Sequence, residues 1–251
     1  MPDAGTAGSG DYYARRLASP EYRGSRVARA EVIARLVGPR LEAAERIADI
    51  GAGTGIIKNE LEDKFSKFIV GFELDVPFVV EPGGVVAADG CQLPVPAATF
   101  DLVILNHVYE HVPDPGRLFR EAWRVLRPGG AAYVSAGSRF AVIEPHYRLP
   151  FLSWLPRRAA DLYLRATGRG RTYEGVRFLG YRPLVRLMAG AGFEIRDVTQ
   201  TALRDLIGPD RGRRWRPAWA LLRALPEPAR RGILTRGSPQ WFFILEKPEA
   251  T

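Results

Sequence analysis

Arg46-Ile-Ala-Asp-Ile50 runs directly into Gly51-Ala-Gly-Thr-Gly55, and the residues that follow, 56–63, are helix-prone. A short apolar strand, a turn with glycine at every second position and a helix form the opening of an α/β unit. Such a turn leaves main-chain N–H groups unsatisfied at a helix N-terminus, and its glycines let a ligand approach the backbone closely. The dinucleotide fingerprint spaces its glycines as Gly-x-Gly-x-x-Gly. Here the third glycine arrives one residue early, which argues against a pyrophosphate ligand. Glu73 closes the next strand, 68–72, at a position where a carboxylate can accept both hydroxyls of a ribose.

Outward from this unit, apolar runs alternate with helical patterns. Further strands are predicted at 85–88, 100–105, 131–135, 193–198 and 240–245, and helices at 24–38, 116–126 and 184–191. Gly38-Pro39 is expected to end the first of these helices and Arg127-Pro-Gly-Gly130 the second. Continuous apolar strands alternating with helices predict a doubly wound α/β sheet of seven strands, parallel and covered on both faces. Residues 74–84 carry Pro77, Pro82, Gly83 and Gly84, which disfavours a helix between the second and third strands. Two stretches, 139–180 after the fifth strand and 203–238 after the sixth, are too long for ordinary connections. They are read as helical cap inserts, with helices at 157–166 and 218–225. Residues 11–251 are read as one domain, preceded by a frayed Gly/Ala/Ser-rich segment at 1–10.

The chain has 251 residues, 46% apolar and 25% charged, enough apolar content for a sizeable core and outside the range of disordered or fibrous chains. Nowhere do about 18 apolar residues follow one another, as a membrane span requires. The first ten residues have neither the basic nor the apolar region of a secretory leader. These readings place the chain in the cytoplasm. Cys91 is the only cysteine, so neither an internal disulfide nor a multi-cysteine zinc site can form. The net charge of +8 is unevenly placed: 139–186 holds 10 Arg against 3 acids and 204–236 holds 9 Arg against 3, while the remainder is acidic. An acidic body with two basic inserts points to an anionic partner for the inserts. The alternative is a set of arginines that are merely solvated.

Taken together, Asp49-Ile-Gly-Ala-Gly-Thr-Gly55, Val70-Gly-Phe-Glu73, Ala88-Asp-Gly-Cys-Gln-Leu-Pro94, Phe100-Asp-Leu-Val103, Glu110-His111 and Arg124-Val-Leu-Arg-Pro-Gly-Gly130 resemble the class I S-adenosylmethionine-dependent methyltransferases, in their type 11 small-molecule branch. The resemblance spans residues 28–137, with an echo at Gly190-Ala-Gly-Phe193 and in the closing strand. It implies a Rossmann-like methyltransferase sheet and S-adenosylmethionine as cofactor. Asp49, Gly51, Gly53 and Gly55 would hold the methionine end, Glu73 the ribose, and Asp89 with the Gly90 backbone the adenine. The family carries a helix between its second and third strands that this chain lacks, so Phe72, Val76 or Phe78 is expected to supply the apolar wall beside the adenine.

In an open parallel sheet, ligands bind beyond the carboxyl ends of the strands, which places Asn106, His107 and Tyr109 near the reacting group. Several readings compete there. His107-Val-Tyr-Glu110-His111 has the H-x-x-E-H spacing of inverted zinc peptidases. By resemblance, a related carboxylate and histidine cluster binds a divalent metal in the ubiquinone-pathway O-methyltransferases, where this chain has His107 in place of an acid. Asn106-His-Val-Tyr109 keeps the ends, without the prolines, of the Asn-Pro-Pro-Tyr signature of nucleic-acid amino-methyltransferases. The reading adopted takes Glu110 and His111 as loop-capping residues, with no metal.

A hydroxyl acceptor must lose its proton as the C–O bond forms, and His107 and His146 are the candidate bases. His146 lies in Glu144-Pro-His-Tyr-Arg-Leu-Pro-Phe-Leu-Ser-Trp-Leu-Pro156, followed by Arg157 and Arg158. Arg211-Gly-Arg-Arg-Trp-Arg216 and Trp219 repeat the mixture of rings and arginines. Such a mixture suits an amphiphile with an anionic head, or a membrane interface; the alternative is an ordinary cap domain. The 144–156 stretch resembles those of methyltransferases associated with bacterial glycan and lipid-glycan assembly. The expected function is O-methylation of a small-molecule, glycan or lipid-linked hydroxyl acceptor by in-line transfer, in the cytoplasm and in peripheral contact with the inner face of the membrane. Nucleic-acid methylation is one alternative, disfavoured because no interleaved single-strand platform is visible. A catalytically silent partner subunit is the other.

Overall fold

The computed structural model describes residues 19–76, 79, 81, 83–207 and 216–249. The segment 1–10 and Pro77, Phe78, Pro82, Arg211, Arg213, Arg214 and Trp215 lie outside the described residues, as do the side chains of Arg216 and Trp219.

Among the described residues, seven strands form one sheet: β1 (Ile47–Ile50), β2 (Ile69–Glu73), β3 (Val85–Ala87), β4 (Phe100–Asn106), β5 (Leu126–Gly137), β6 (Glu194–Asp197) and β7 (Gln240–Glu246). Their order is β3-β2-β1-β4-β5-β7-β6. The first five strands run parallel, whereas β7 lies antiparallel between β5 and β6. The expected sheet is therefore present, with one departure: the closing strand reverses direction. Strand order turns back between β1 and β4, and in sheets of this kind that reversal opens a crevice at the carboxyl ends of the strands.

The central strands β1, β2, β4 and β7 are largely apolar because helices cover both faces, whereas the edge strands β3 and β6 are partly exposed. Leu102 and Ile104 of β4 face one layer, with Ile47, Ile69 and Tyr133, under helices α1 (Pro20–Ala43), α2 (Ile56–Phe65) and α6 (Thr199–Ile207). Val103 and Leu105 face the other, with Ile50, Phe72 and Val134, under α3 (Pro115–Val125) and α5 (Tyr181–Gly190). The alternation of neighbouring β4 residues between two cores is the period of two that a strand imposes.

Helix α1 corrects the expected boundary at Gly38-Pro39: it continues to Ala43 with a kink at Val37 (φ −127°). Proline removes one N–H and crowds the preceding turn. Val37 and Leu41 on either side are both fully buried, and burying such side chains gains roughly 1.5–3 kcal/mol each, enough to carry the helix through. At Arg127-Pro-Gly-Gly130 the helix does end, within one residue of the expected boundary. Helix α3 ends at Val125, β5 starts at Leu126, and the proline and glycines form an irregular start to that strand, where the β4 register shifts between Phe100 and Leu102.

The first insert contains a 3-10 turn (Leu152–Trp154) and α4 (Arg157–Ala166), built on its own small core of Leu149, Leu152, Ala160 and Leu164. The second holds α7 (Arg216–Ala224) and α8 (Glu227–Gly237). None of the described residues in 74–84 belongs to an α-helix. Instead, this connection lies against the glycine turn: Glu81 N–H donates to the Thr54 carbonyl at 3.1 Å, and the Asn59 amide donates to Glu81 Oε2 at 2.8 Å.

Candidate cofactor and acceptor site

The carboxyl ends of β1 to β4 bring Gly51, Gly53, Gly55, Glu73, Asp89, Gly90 and Asn106 to one edge of the sheet. Gly53 is the centre of the arrangement. Its φ of +57° is a left-handed conformation, and a Cβ placed on it would meet nothing within 4 Å, so its Cα faces open space. Its N–H donates to Glu73 Oε2 at 2.7 Å, while Glu73 Oε1 accepts from Asp75 N–H at 3.0 Å. Two main-chain donors thus hold the carboxylate in place, and each oxygen keeps a lone pair for a ligand hydroxyl. Gly55, also left-handed at φ +82°, caps α2; any Cβ there would lie 2.3 Å from the Glu81 carbonyl oxygen. On the neighbouring strand end, Asp89 Oδ1 accepts from Cys91 N–H at 2.8 Å. Gly90 lies so near Ile50 that a Cβ would stand 2.8 Å from its methyl group. Gly53, Glu73, Asp89 and Gly90 thus lie along one sheet edge with open space above Gly53, and the Glu73 carboxylate offers acceptors of the kind that ribose hydroxyls need.

The expected apolar wall differs. Phe72 is buried in the core, edge-on to Phe100 with ring centroids 6.1 Å apart, and faces no ligand. Its position in β2 directs the side chain inward, because β2 is covered on both faces. Val76 is exposed and remains the described candidate.

Asp49 closes β1 and is buried. Burial pushes its carboxyl from the ordinary 3.8 up to about 7; Glu73 adds to the shift and Lys58 opposes it. The folded chain therefore binds this proton more tightly than the unfolded chain, and stability falls as pH rises from about 4 through about 7. Asp49→Asn removes the titration. The variant is expected to gain on the wild type across that window, by on the order of 4 kcal/mol at most, as read from denaturant melts at about pH 4 and about pH 8. An equal difference at both pH values would contradict the assignment.

Beyond β4 and β5 lie all three histidines of the chain, with two buried carboxylates. His107 Nδ1 is 2.8 Å from Glu110 Oε1, and its Nε2 is 3.1 Å from Gln240 Oε1. Both ring nitrogens face oxygen acceptors, so His107 in this arrangement has no free nitrogen with which to accept a proton. Glu110 is buried, and its main-chain carbonyl accepts from Arg177 N–H at 2.7 Å. Burial pushes its carboxyl up, but His107 and His111 outweigh that and leave it below the ordinary carboxylate range. Its Oε2 is buried without a partner among the described residues. His111 is pushed below the ordinary histidine range, first by burial, against the pull of Glu110. Its Nδ1 lies 3.3 Å from the Gly175 carbonyl oxygen, and its ring stands edge-on to that of His146 at 5.2 Å. These contacts give each histidine a separate partner. No group of three or more His, Cys, Asp or Glu among the described residues is disposed to hold a metal ion.

His146 is differently placed. Its Nδ1 is 2.8 Å from Oε1 of Glu144, a fully buried side chain whose Oε2 accepts from the N–H groups of His146 (2.9 Å) and Tyr147 (2.6 Å). The imidazole is about one third exposed, at 35%, and its Nε2 has no hydrogen-bond partner among the described residues. A carboxylate on Nδ1 selects the tautomer that leaves Nε2 able to accept a proton. Sequence reasoning singled out His146 but not Glu144, whose signal was its place two residues earlier. Gln240, far along the chain, gave none.

Residues 48–134 match the family described as methyltransferase domain. That stretch of the chain is thus similar to a methyltransferase domain. It is 33% identical over 129 residues to an uncharacterized methyltransferase of Mycobacterium sp. (strain JLS), covering 49% of this chain and 50% of that one. With the ubiquinone biosynthesis O-methyltransferase of Pseudomonas aeruginosa (strain LESB58) it shares 30% over 138 residues, 47% of this chain and 57% of that one. The chain spans about half the length of the curated relatives it matches. A SAM-dependent methyltransferase from Archaeoglobus fulgidus has the same fold, with a TM-score of 0.58 at 16% identity over 94% of this chain and 99% of that one. The matched methyltransferase domain contains Asp49 through His111, whereas Glu144, His146 and both inserts lie beyond it.

Proposed function

We propose that the chain transfers a methyl group from S-adenosylmethionine to a hydroxyl oxygen of a small, anionic acceptor, glycan- or lipid-linked and met at the inner face of the membrane. The observation that supports this reading is the shared sheet edge of two features: the open space over Gly53 beside Glu73, and the part-exposed His146 held through Nδ1 by Glu144. The methyltransferase domain and the ubiquinone biosynthesis O-methyltransferases among the relatives support it.

Glu73 accepts the ribose hydroxyls, Asp89 and the Gly90 backbone meet the adenine, and the turn from Gly51 to Gly55 lies at the methionine end, with Asn106 at the end of β4 beside the reacting group. When bound, the cofactor supplies an electrophilic methyl group on a sulfonium. Glu144 fixes the His146 ring through Nδ1, and Nε2 takes the proton from the acceptor hydroxyl. General-base help of this kind contributes roughly 10²–10⁴-fold. His107 stays paired with Glu110 and Gln240 and serves as a structural support of the site.

The test is transfer of labelled methyl from S-adenosylmethionine by the purified chain into fractionated cell extract, with the product identified by mass spectrometry. A labelled O-methyl group in an anionic small-molecule, glycan or lipid fraction is expected. Label confined to nucleic acid would overturn the acceptor class, and cofactor binding without label in any fraction would identify a silent subunit.

A further inference from the structure

We infer that the loop 139–155, together with the start of α4, is a docking surface for an anionic lipid bilayer. Single exposed apolar residues are ordinary on a protein surface, but a contiguous patch is not. Here Phe140 (40% exposed), Val142 (52%), Ile143 (52%), Phe151 (48%) and Trp154 (44%) stand on one short loop. They are joined to one another. The Trp154 ring lies edge-on to both Phe140 and Phe151, at 5.7 and 5.2 Å. Phe151 N–H donates to the Val142 carbonyl at 2.7 Å, and Ile143 pairs with Pro150, so the two arms of the loop present their side chains together.

The platform is held out by its own structure. Trp154 Nε1 donates to the Ala141 carbonyl at 3.0 Å, and the inward side chains Leu149 and Leu152 fill the core of the insert. Phe151 adopts a left-handed φ of +57°, a conformation that a bulky residue takes only when its surroundings impose it. An apolar ring is thus fixed at the tip while the core beneath is already full.

Charge selects the partner. Arg157 and Arg158, both exposed, follow the platform on the first turn of α4. Cations there oppose the helix dipole and do nothing for the helix. Arg157 is paired only loosely, 3.8 Å from the exposed Glu174. Interfacial rings beside aliphatic side chains and arginines match the boundary between acyl chains and anionic headgroups. Val142 and Ile143 offer a nucleic acid neither stacking nor hydrogen bonds. His146 lies on the same loop, so docking would bring a bilayer-resident acceptor to the base. That last step rests on the proposed methyl transfer, whereas the docking itself does not.

The experiment is co-sedimentation of the full chain with vesicles of equal parts phosphatidylcholine and phosphatidylglycerol, against phosphatidylcholine alone, at low and high salt. Binding to the anionic vesicles, weakened by salt, is expected. Arg157→Gln and Arg158→Gln should each cost about five-fold in vesicle affinity, and Phe151→Asn with Ile143→Ser should abolish insertion. Asparagine tolerates the left-handed backbone; if that double variant fails to fold, the arginine variants decide. S-adenosylhomocysteine affinity should be the same in all variants, which separates failure of docking from failure of the methyltransferase reading. A wild-type chain that stays in the supernatant at low salt, variants that pellet like wild type, or a single-stranded oligonucleotide bound in place of vesicles would each overturn the inference.

Discussion

Gly53→Arg abolishes S-adenosylhomocysteine binding and leaves the fold standing. Gly53 is the turn residue whose Cα faces open space, so a side chain there meets no protein atom and projects into the groove. The arginine would occupy the volume that a nucleoside needs beside Glu73. A left-handed φ of +57° costs a residue with a Cβ roughly 1–2 kcal/mol, a loss that a domain of this size survives. Calorimetric titration should therefore show no binding heat while circular dichroism shows a cooperative melt. Binding within about three-fold of wild type, a difference of less than about 1 kcal/mol, would mean that the open space over Gly53 is not the cofactor site.

His146→Gln is expected to lower kcat by about 10²–10⁴-fold with cofactor affinity unchanged. Losing a proton acceptor affects the chemical step, not the cofactor groove. Glu144→Gln should give a smaller loss in kcat, because the carboxylate that fixes the imidazole through Nδ1 is gone. His107→Gln supplies the contrast. It deprives the buried Glu110 of its ring partner and should lower the melting temperature, yet kcat should stay close to that of the wild type. If His107→Gln lowers kcat by that factor and His146→Gln does not, the two histidines have the opposite roles.

What the sequence made legible was local. The glycine turn, Glu73 and the apolar strands state their roles in short windows, because a strand covered on both faces must be apolar throughout. Helix α4 was readable for the same reason, with Ala160 and Leu164 at helical spacing and buried beneath it. Features decided by distant packing were not. Gly38-Pro39 carries every local sign of a helix end, and only the burial of Val37 and Leu41 takes α1 past it. Helix α8 sits in a stretch whose arginines and prolines resemble a loop. Of Phe72, Val76 and Phe78, the candidates for the adenine wall, strand alternation turns Phe72 into the core. At the histidines, the sequence shows three rings and two carboxylates without their pairing. Gln240, which closes off His107, comes from β7 at the far end of the chain.

The central claim is that the groove between Gly53, Glu73 and Asp89 binds S-adenosylmethionine. Calorimetric titration of the folded full chain with S-adenosylhomocysteine tests it most directly. The account predicts saturable binding in the micromolar range, weakened by Glu73→Ala through the loss of the ribose hydrogen bonds. A folded wild-type chain that takes up no S-adenosylhomocysteine would contradict it.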